Sequence, residues 1–483
     1  MRFAKEYSLN SLLSDPRQSN INFNVSTFIK EKVLKKIAIC IFHPWNISSW
    51  FDTTIVQELS TRFDVTILAT KDVLDVCFQR GLNKEISFRF EEVILSKPSL
   101  ISRTYFFTSM IIQRKTNSSF AARLKKLIFG EVRLIPSPFE LRVFLICLNS
   151  NLTFFISYLR KYFYQIPFFI PVIDRLFVLF WRYLFKKKKH AISDCFKNNF
   201  DLVVFSSAAE ELHIFELIKE LRNRNIKTLL CIENWDNLTS KRYMISQPDY
   251  TFVLGKNSKF LAAQYQDLHP DTVIAAGLPR FNPLRFLPKQ YHQANSERFQ
   301  ILYAGFYLPH NEIKLLNELI NKLDKTKISG NYDLVYKPHP GPRIRILDDS
   351  KLNEKIKVVT SAERKNPVLD QRHLMRILNA DILIATPTSM IIECMVLGKK
   401  VVLDLTNDGI NRTTAQAAYS SYQHLHILDK IEKLTKCYDL DQIVSQILEE
   451  FSNPTSKFIE YGLAELIENS ETSYSTHISK LLK

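Results

Sequence analysis

Short runs of aliphatic and β-branched residues, each followed by a stretch with helical period, recur along most of the chain. This rhythm constrains the fold more than any other feature. "KKIAICIF" (35–42), "DVTILAT" (64–70), "FDLVVFSS" (200–207), "IKTLLCI" (226–232), "DYTFVLG" (249–255) and "TVIAAG" (272–277) read as buried strands. "TTIVQELSTRF" (53–63) and residues 209–224 read as amphipathic helices between them. Near-continuous apolar strands alternating with helices predict a parallel sheet covered on both faces. The rhythm breaks at "LPRFNPLRFLPKQ" (278–290), where three prolines fall close together, and then resumes. The second series of predicted strands is "FQILYAG" (299–305), "DLVYK" (333–337), "KIKVVTS" (355–361), "ADILIAT" (380–386), "KKVVLDL" (399–405) and "LHILD" (425–429). Helical stretches at 439–451 and about 456–483 close the sequence.

A chain of 483 residues exceeds what one ordinary core holds, so two domains are expected. The fold class is α/β: two doubly wound, Rossmann-like domains facing a cleft. The first is placed at 36–277, a linker at 278–298, the second at 299–450, and closing helices at 451–483. Such sheets bind ligands at the carboxyl ends of their strands, so the loops there hold the candidate residues.

In the second domain, "DLVYKPHPGP" (333–342) ends a strand by setting Lys337 and His339 on a loop stiffened by prolines. "ADILIATPTSMIIECMVLGKKVVLD" (380–404) follows another strand with Thr386, Thr388 and Ser389. Pro387 is tolerated at a helix start, and Glu393 lies one turn past Ser389. Free N–H groups and hydroxyls at such a start favour an anion, and Glu393 can accept from ribose hydroxyls. "AGFYLPHNE" (304–312) opens with Gly305, where the backbone must approach something closely. Together these groups suit the phosphate of a nucleotide.

This pattern resembles the nucleotide-binding domain of GT-B glycosyltransferases over about residues 275–450. The likeness is to enzymes of surface polysaccharides that carry a His-Pro motif followed by a small-hydroxyl motif: bacterial sialyltransferases, Kdo transferases and CDP-glycerol glycerophosphotransferases. The matching residues are Lys337-Pro-His339-Pro, then Ser389, then Glu393, with Gly398 before the next strand. The Asp-Tyr-Ser form of the glycerophosphotransferases reads Pro387-Thr388-Ser389 here. The resemblance implies a nucleotide-sugar donor held by Gly305, Lys337, Thr388, Ser389 and Glu393, with His339 at the reacting phosphate. It implies no cofactor beyond that co-substrate.

The first domain resembles the family only in architecture, and its candidates come from its own strand ends. "CIENWDNLTSK" (231–241) offers Glu233 and Asp236, and "FHPWNISSW" (42–50) offers His43. An acceptor hydroxyl needs a base to take its proton, and these three stay unranked. Trp45, Trp50 and Trp235 are candidates for stacking on sugar rings. No metal site is expected: Asp439-Leu-Asp441 precedes "QIVSQILEE" and reads as a helix cap. Walker, GxGxxG and HExxH motifs are absent from the sequence, which excludes the ATPases, dehydrogenases and zinc proteases built on them.

The net charge of +16 is concentrated. Residues 101–190 hold 16 Lys/Arg against three acids, Glu131, Glu140 and Asp174. The longest uncharged stretch there, Val143–Leu159, spans 17 residues and carries Asn149, Ser150, Asn151 and Thr153, a poor bilayer span. Arg175 and Arg182 share a helix face within an aromatic surface, and Lys186–Lys189 follow. This reads as a basic apolar helical insertion resting on an anionic membrane surface. No helix-turn-helix, zinc-finger or RNP pattern accompanies the charge, so nucleic acid is not expected as a partner. The seven scattered cysteines predict no disulfide framework, and the polar first thirty residues lack an apolar signal core. A cytoplasmic enzyme, peripheral on the inner face of the membrane, follows as the expectation. It would transfer sugar to a cell-surface polysaccharide or lipid-linked glycan. A CDP-glycerol-type phosphotransferase, a UDP-sugar 2-epimerase and a non-catalytic membrane- or RNA-binding protein are the alternatives on this fold.

Overall fold

The computed structural model describes residues 34–82, 87–95, 179–180, 182–185, 194–197, 199–207, 212–240, 244–281, 297–306, 310–339, 351–359, 371–409, 414–454, 459–468 and 474–483. The elements below lie in one unit, Lys35–Lys483. The first series of strands is β1 (Lys36–Ile41), β2 (Asp64–Ala69), β3 (Arg89–Glu92), β4 (Leu202–Ser207), β5 (Lys227–Ile232), β6 (Tyr250–Val253) and β7 (Val273–Ala275). The second is β8 (Phe299–Ala304), β9 (Tyr332–Lys337), β10 (Ile356–Val358), β11 (Ile382–Ala385), β12 (Lys400–Asp404) and β13 (Thr435–Cys437).

Among the described residues these strands form two sheets, in the orders β3-β2-β1-β4-β5-β6-β7 and β10-β9-β8-β11-β12-β13. Every pairing is parallel. Each sheet is doubly wound. Strand order reverses between β1 and β4 in the first, and between β8 and β11 in the second. Those two switch points are where a parallel sheet opens a crevice for a ligand.

Alternate residues of each strand feed opposite cores, as the apolar runs require. Ile37, Ile39 and Ile41 pack on one face of the first sheet with Val65, Ile67, Leu202 and Val204. Ala38 and Cys40 pack on the other with Val203 and Phe205. In the second sheet Ile301, Tyr303, Leu334 and Ile384 share one core. Leu302, Ala304, Leu383 and Leu403 share another, which also takes in Trp235, Leu254, Leu278 and Phe281 from the first series. The six cysteines among the described residues are free.

The chain crosses back after the second sheet. Glu468 N–H donates to Leu254 O at 2.8 Å, and helix Tyr474–Leu481 sets Tyr474 and Ile478 into the core of the first sheet. Ser475 donates to Glu58, and Lys227 Nζ to Leu481 O at 3.1 Å. Gly255 is fixed by this crossing, since a Cβ there would lie 2.5 Å from Leu466 O.

Three expectations change. "LHILD" (425–429) is not a strand but part of a 3-10 stretch, Gln423–Lys430, that buries His424, Leu425, Ile427 and Leu428. Of residues 456–483, the described helical parts are only the 3-10 turn Leu463–Glu465 and Tyr474–Leu481. The proline-rich stretch at 278–290 begins as core, because Leu278 and Phe281 are buried; its remainder lies outside the described residues. The insertion expected at 101–190 also lies outside them, except for 179–180 and 182–185. No helix among the described residues is long and apolar enough to cross a membrane.

Under the end of β8, the Glu312 carboxylate accepts from Phe306 N–H and Tyr336 O–H. Burial pushes this carboxyl up to about 7; the two hydrogen bonds oppose the shift and Asp404 adds to it. A raised folded-state value means the folded protein keeps the proton while the unfolded chain loses it from about 4.5. Stability contributed by Glu312 is therefore fully present below the unfolded value and is lost as pH rises to about 7. Wild type minus Glu312→Gln should show a fall of about 2–4 kcal/mol across that window in denaturant unfolding. A difference that is flat with pH, or that rises, would refute the assignment.

Candidate functional site

The strand ends of the first sheet converge on Glu233. It follows β5 and is 3% exposed. Its Oε2 accepts from Ser49 Oγ at 2.6 Å, and its Oε1 from Ser206 Oγ at the end of β4. Burial raises its carboxyl above the ordinary range, against those two hydrogen bonds and the charge of Arg280. Through these two bonds Glu233 joins the ends of β1, β4 and β5 at the switch point between β1 and β4. Arg280 Nη2 donates to Asn234 Oδ1 at 3.0 Å. Asn46 and Asn237, both 0% exposed, have side-chain amides with no hydrogen-bond partner among the described residues. His43 precedes the short 3-10 helix Pro44–Asn46 and is half-buried. Asp236 is half-buried just before helix Asn237–Ser240, and its carbonyl accepts from Thr239 N–H at 3.1 Å.

Two of the tryptophans belong to the packing. Trp50 is wholly buried and meets Tyr474 edge-on, with ring centroids 6.2 Å apart. Trp235 lies in the core shared by both sheets, edge-on to His424 at 5.3 Å. They are not sugar platforms, because the cores need their area. The Trp45 side chain and Lys241 lie outside the described residues.

In the second sheet Lys337 ends β9, and its ammonium reaches over the β8–β11 switch point to Met390, with Nζ 3.8 Å from the sulfur. Burial lowers its pKa, while Glu393, on helix Met390–Val396, pulls it back up. The structure thus brings Lys337 and Glu393 together electrostatically. Thr388 Oγ1 is buried without a hydrogen-bond partner. Ser389 is the N-cap of that seven-residue helix and makes no side-chain capping bond. Thr386 is buried and donates to Ala304 O at 3.4 Å. His339 is half-buried, two residues past the end of β9. Gly305 does approach something closely, but the neighbour is internal: a Cβ there would stand 2.7 Å from Glu312 Oε2. Asp439 caps helix Leu440–Ser452 by accepting from Gln442 N–H at 2.8 Å.

The sequence reading passed over Arg280, placed within the linker, and Ser49 and Ser206, which carry no motif. It also passed over His310, although "AGFYLPHNE" contains it two residues before Glu312.

Two doubly wound parallel sheets with a closing helix on the first define the class: a two-domain α/β protein of GT-B architecture. No protein-family model matches the chain, and no curated protein matches it. Similar solved structures include UDP-GlcNAc 2-epimerase from Neisseria meningitidis bound to UDP-GlcNAc. It shares 14% identity, covering 92% of this chain and 99% of that one, with a TM-score of 0.46. Arabidopsis thaliana UGT89C1 complexed with quercetin shares 12%, covering 93% and 98%, with a TM-score of 0.45. Acinetobacter baumannii MurG shares 11%, covering 93% and 99%, with a TM-score of 0.39. At these identities and TM-scores the likeness carries nothing about this chain's chemistry.

Glu233→Ala would strand two buried hydroxyls and should lower stability by about 2–4 kcal/mol, whereas Glu233→Gln keeps an acceptor and should lose about 1 kcal/mol or less. Denaturant unfolding of both variants checks this. Equal losses would show that the serine hydroxyls do not depend on the carboxyl.

Proposed function

We propose that this chain is a metal-independent glycosyltransferase that moves a sugar from a nucleotide-sugar donor to a cell-surface polysaccharide or lipid-linked glycan. The place of Lys337 carries this reading. A partly buried ammonium stretches across the β8–β11 switch point to the start of the helix that follows β11. Thr388, two residues before its contact, holds a buried hydroxyl with no partner among the described residues. A cation and an unspent hydroxyl at the crevice of a doubly wound sheet suit a phosphate.

In this reading Lys337, His339, Thr388 and Ser389 take the donor's phosphate and offset the charge that develops as the sugar leaves. Glu393 orients Lys337 and stands one turn along for the ribose hydroxyls. Gly305 lets the loop after β8 lie close over Glu312. Across the cleft Glu233 positions the strand ends, and the proton of the acceptor hydroxyl goes to Asp236 or His43. Residues 101–190 hold the enzyme to the inner face of the membrane.

Thermal-shift titration with CMP, CDP, UDP, GDP and dTDP should single out one base, and no shift with any of them would count against a nucleotide site. His339→Ala should raise the transfer barrier by about 2–4 kcal/mol, as removal of a charge-stabilising donor does, with the fold intact. Near wild-type turnover would remove His339 from the site. Replacing Lys186–Lys189 with Gln should release much of the protein from anionic vesicles, at about 1 kcal/mol per cation and more completely at high salt. Sedimentation measures this, and a wild type that ignores such vesicles at low salt would return the segment to the core.

A further inference from the structure

Three adjacent strands of the second sheet, β8, β11 and β12, are each followed by a side chain with a buried polar atom that finds no hydrogen-bond partner among the described residues: His310, Thr388 and Thr406. Buried polar groups are nearly always paired, and an exception in a functional region points to water or a ligand. His310 is the most demanding of the three. Its side chain is 0% exposed, and neither ring nitrogen has a hydrogen-bond partner among the described residues.

Asp408 Oδ2 stands 3.7 Å from His310 Nδ1, and its side chain is 2% exposed. The same Oδ2 accepts from the backbone N–H of Asn311 at 2.8 Å. This clasp joins the loop after β8 to the loop after β12. In the sheet those two strands flank β11, so the clasp spans the strand end that delivers Thr388. The neighbouring acids are committed elsewhere. Glu312 takes Phe306 N–H and Tyr336 O–H. Asp404 takes Tyr303 O–H at 2.7 Å and Thr406 N–H at 2.9 Å. Asp408 is thus the carboxylate set beside the imidazole.

We propose that His310, oriented by Asp408, donates a ring N–H to the phosphate from which the sugar departs, on the side of the switch point opposite Lys337. The inference rests on the reading of the second domain as the nucleotide site. An imidazolium between a carboxylate and a phosphate has one N–H for each anion, which is the arrangement that two unpaired ring nitrogens leave room for. Asp408 stands on the Nδ1 side of the ring, and Thr388 supplies a hydroxyl from the strand between.

Calorimetry on the full chain tests this with the nucleotide that binds best and with its phosphate-free nucleoside. His310→Gln should weaken the nucleotide about tenfold to a hundredfold, as loss of a charged hydrogen bond does, and leave the nucleoside within about twofold. Asp408→Asn, close in shape, should weaken the nucleotide by a smaller factor with the nucleoside again unchanged; if His310→Gln does not fold, this variant decides. A His310→Gln protein that keeps wild-type nucleotide affinity, or loses nucleotide and nucleoside in equal proportion, overturns the proposal alone. A wild type that binds no nucleotide overturns the nucleotide site as well.

Discussion

The junction between the two sheets is the constraint on which everything at their edges depends. Trp235, Leu254, Leu278 and Phe281 leave the first series of elements and enter the core of the second sheet. His424 reciprocates, accepting or donating at Nδ1 with Thr239 Oγ1 at 2.8 Å, edge-on to Trp235 and stacked on Tyr422. Burying a large apolar side chain stabilises by about 1.5–3 kcal/mol, so the tryptophan and its neighbours outweigh the single polar contact. That contact sets direction instead: a buried hydroxyl–imidazole pair tolerates little sliding before both groups are stranded. The two sets of strand ends are held in register because one junction supplies both area and direction.

Each switch point is floored in the same physical way. Glu233 takes two hydroxyls, from Ser49 and Ser206, and Glu312 takes a phenol and a backbone N–H, from Tyr336 and Phe306. In both cases burial raises the carboxyl's pKa and the donors restrain the rise. A carboxyl held this way links neighbouring strand ends through its donors. This also explains Gly305, whose missing side chain makes room for Glu312.

The parallel sheets were legible because their strands are buried on both faces and read as unbroken apolar runs. The edges were not. Arg89–Glu92 and Thr435–Cys437 are short edge strands with few buried positions, and charge on an edge hides the strand pattern. "LHILD" failed for the opposite reason: a short apolar run fits a strand or a tight helix equally, and the buried spacing of Leu425 and Leu428 belongs to the 3-10 turn. At the site, motif residues such as Lys337 and Thr388 were visible because proline and hydroxyl clusters after a strand are unusual. Ser49, Ser206 and His310 were not, since their meaning comes from which strands lie side by side. Trp235 was misread because an aromatic residue at a strand end serves a sugar or a domain junction with equal ease.

The topology also gives the basic segment a place. Strand order runs from β1 outward through β2 to β3 and then returns to β4 beside β1. The connection that makes this return, residues 93–201, contains the concentrated charge. A parallel crossover needs only about a dozen residues, so most of this connection exceeds what closing the sheet requires. It departs from the carboxyl end of β3, on the same edge of the sheet that carries His43, Glu233 and Asp236. A segment inserted at any amino-terminal loop would instead emerge at the far edge of the sheet, a strand's length from the switch point. The crossover from β3 is therefore a connection that can carry surplus length while starting at the edge that holds His43, Glu233 and Asp236.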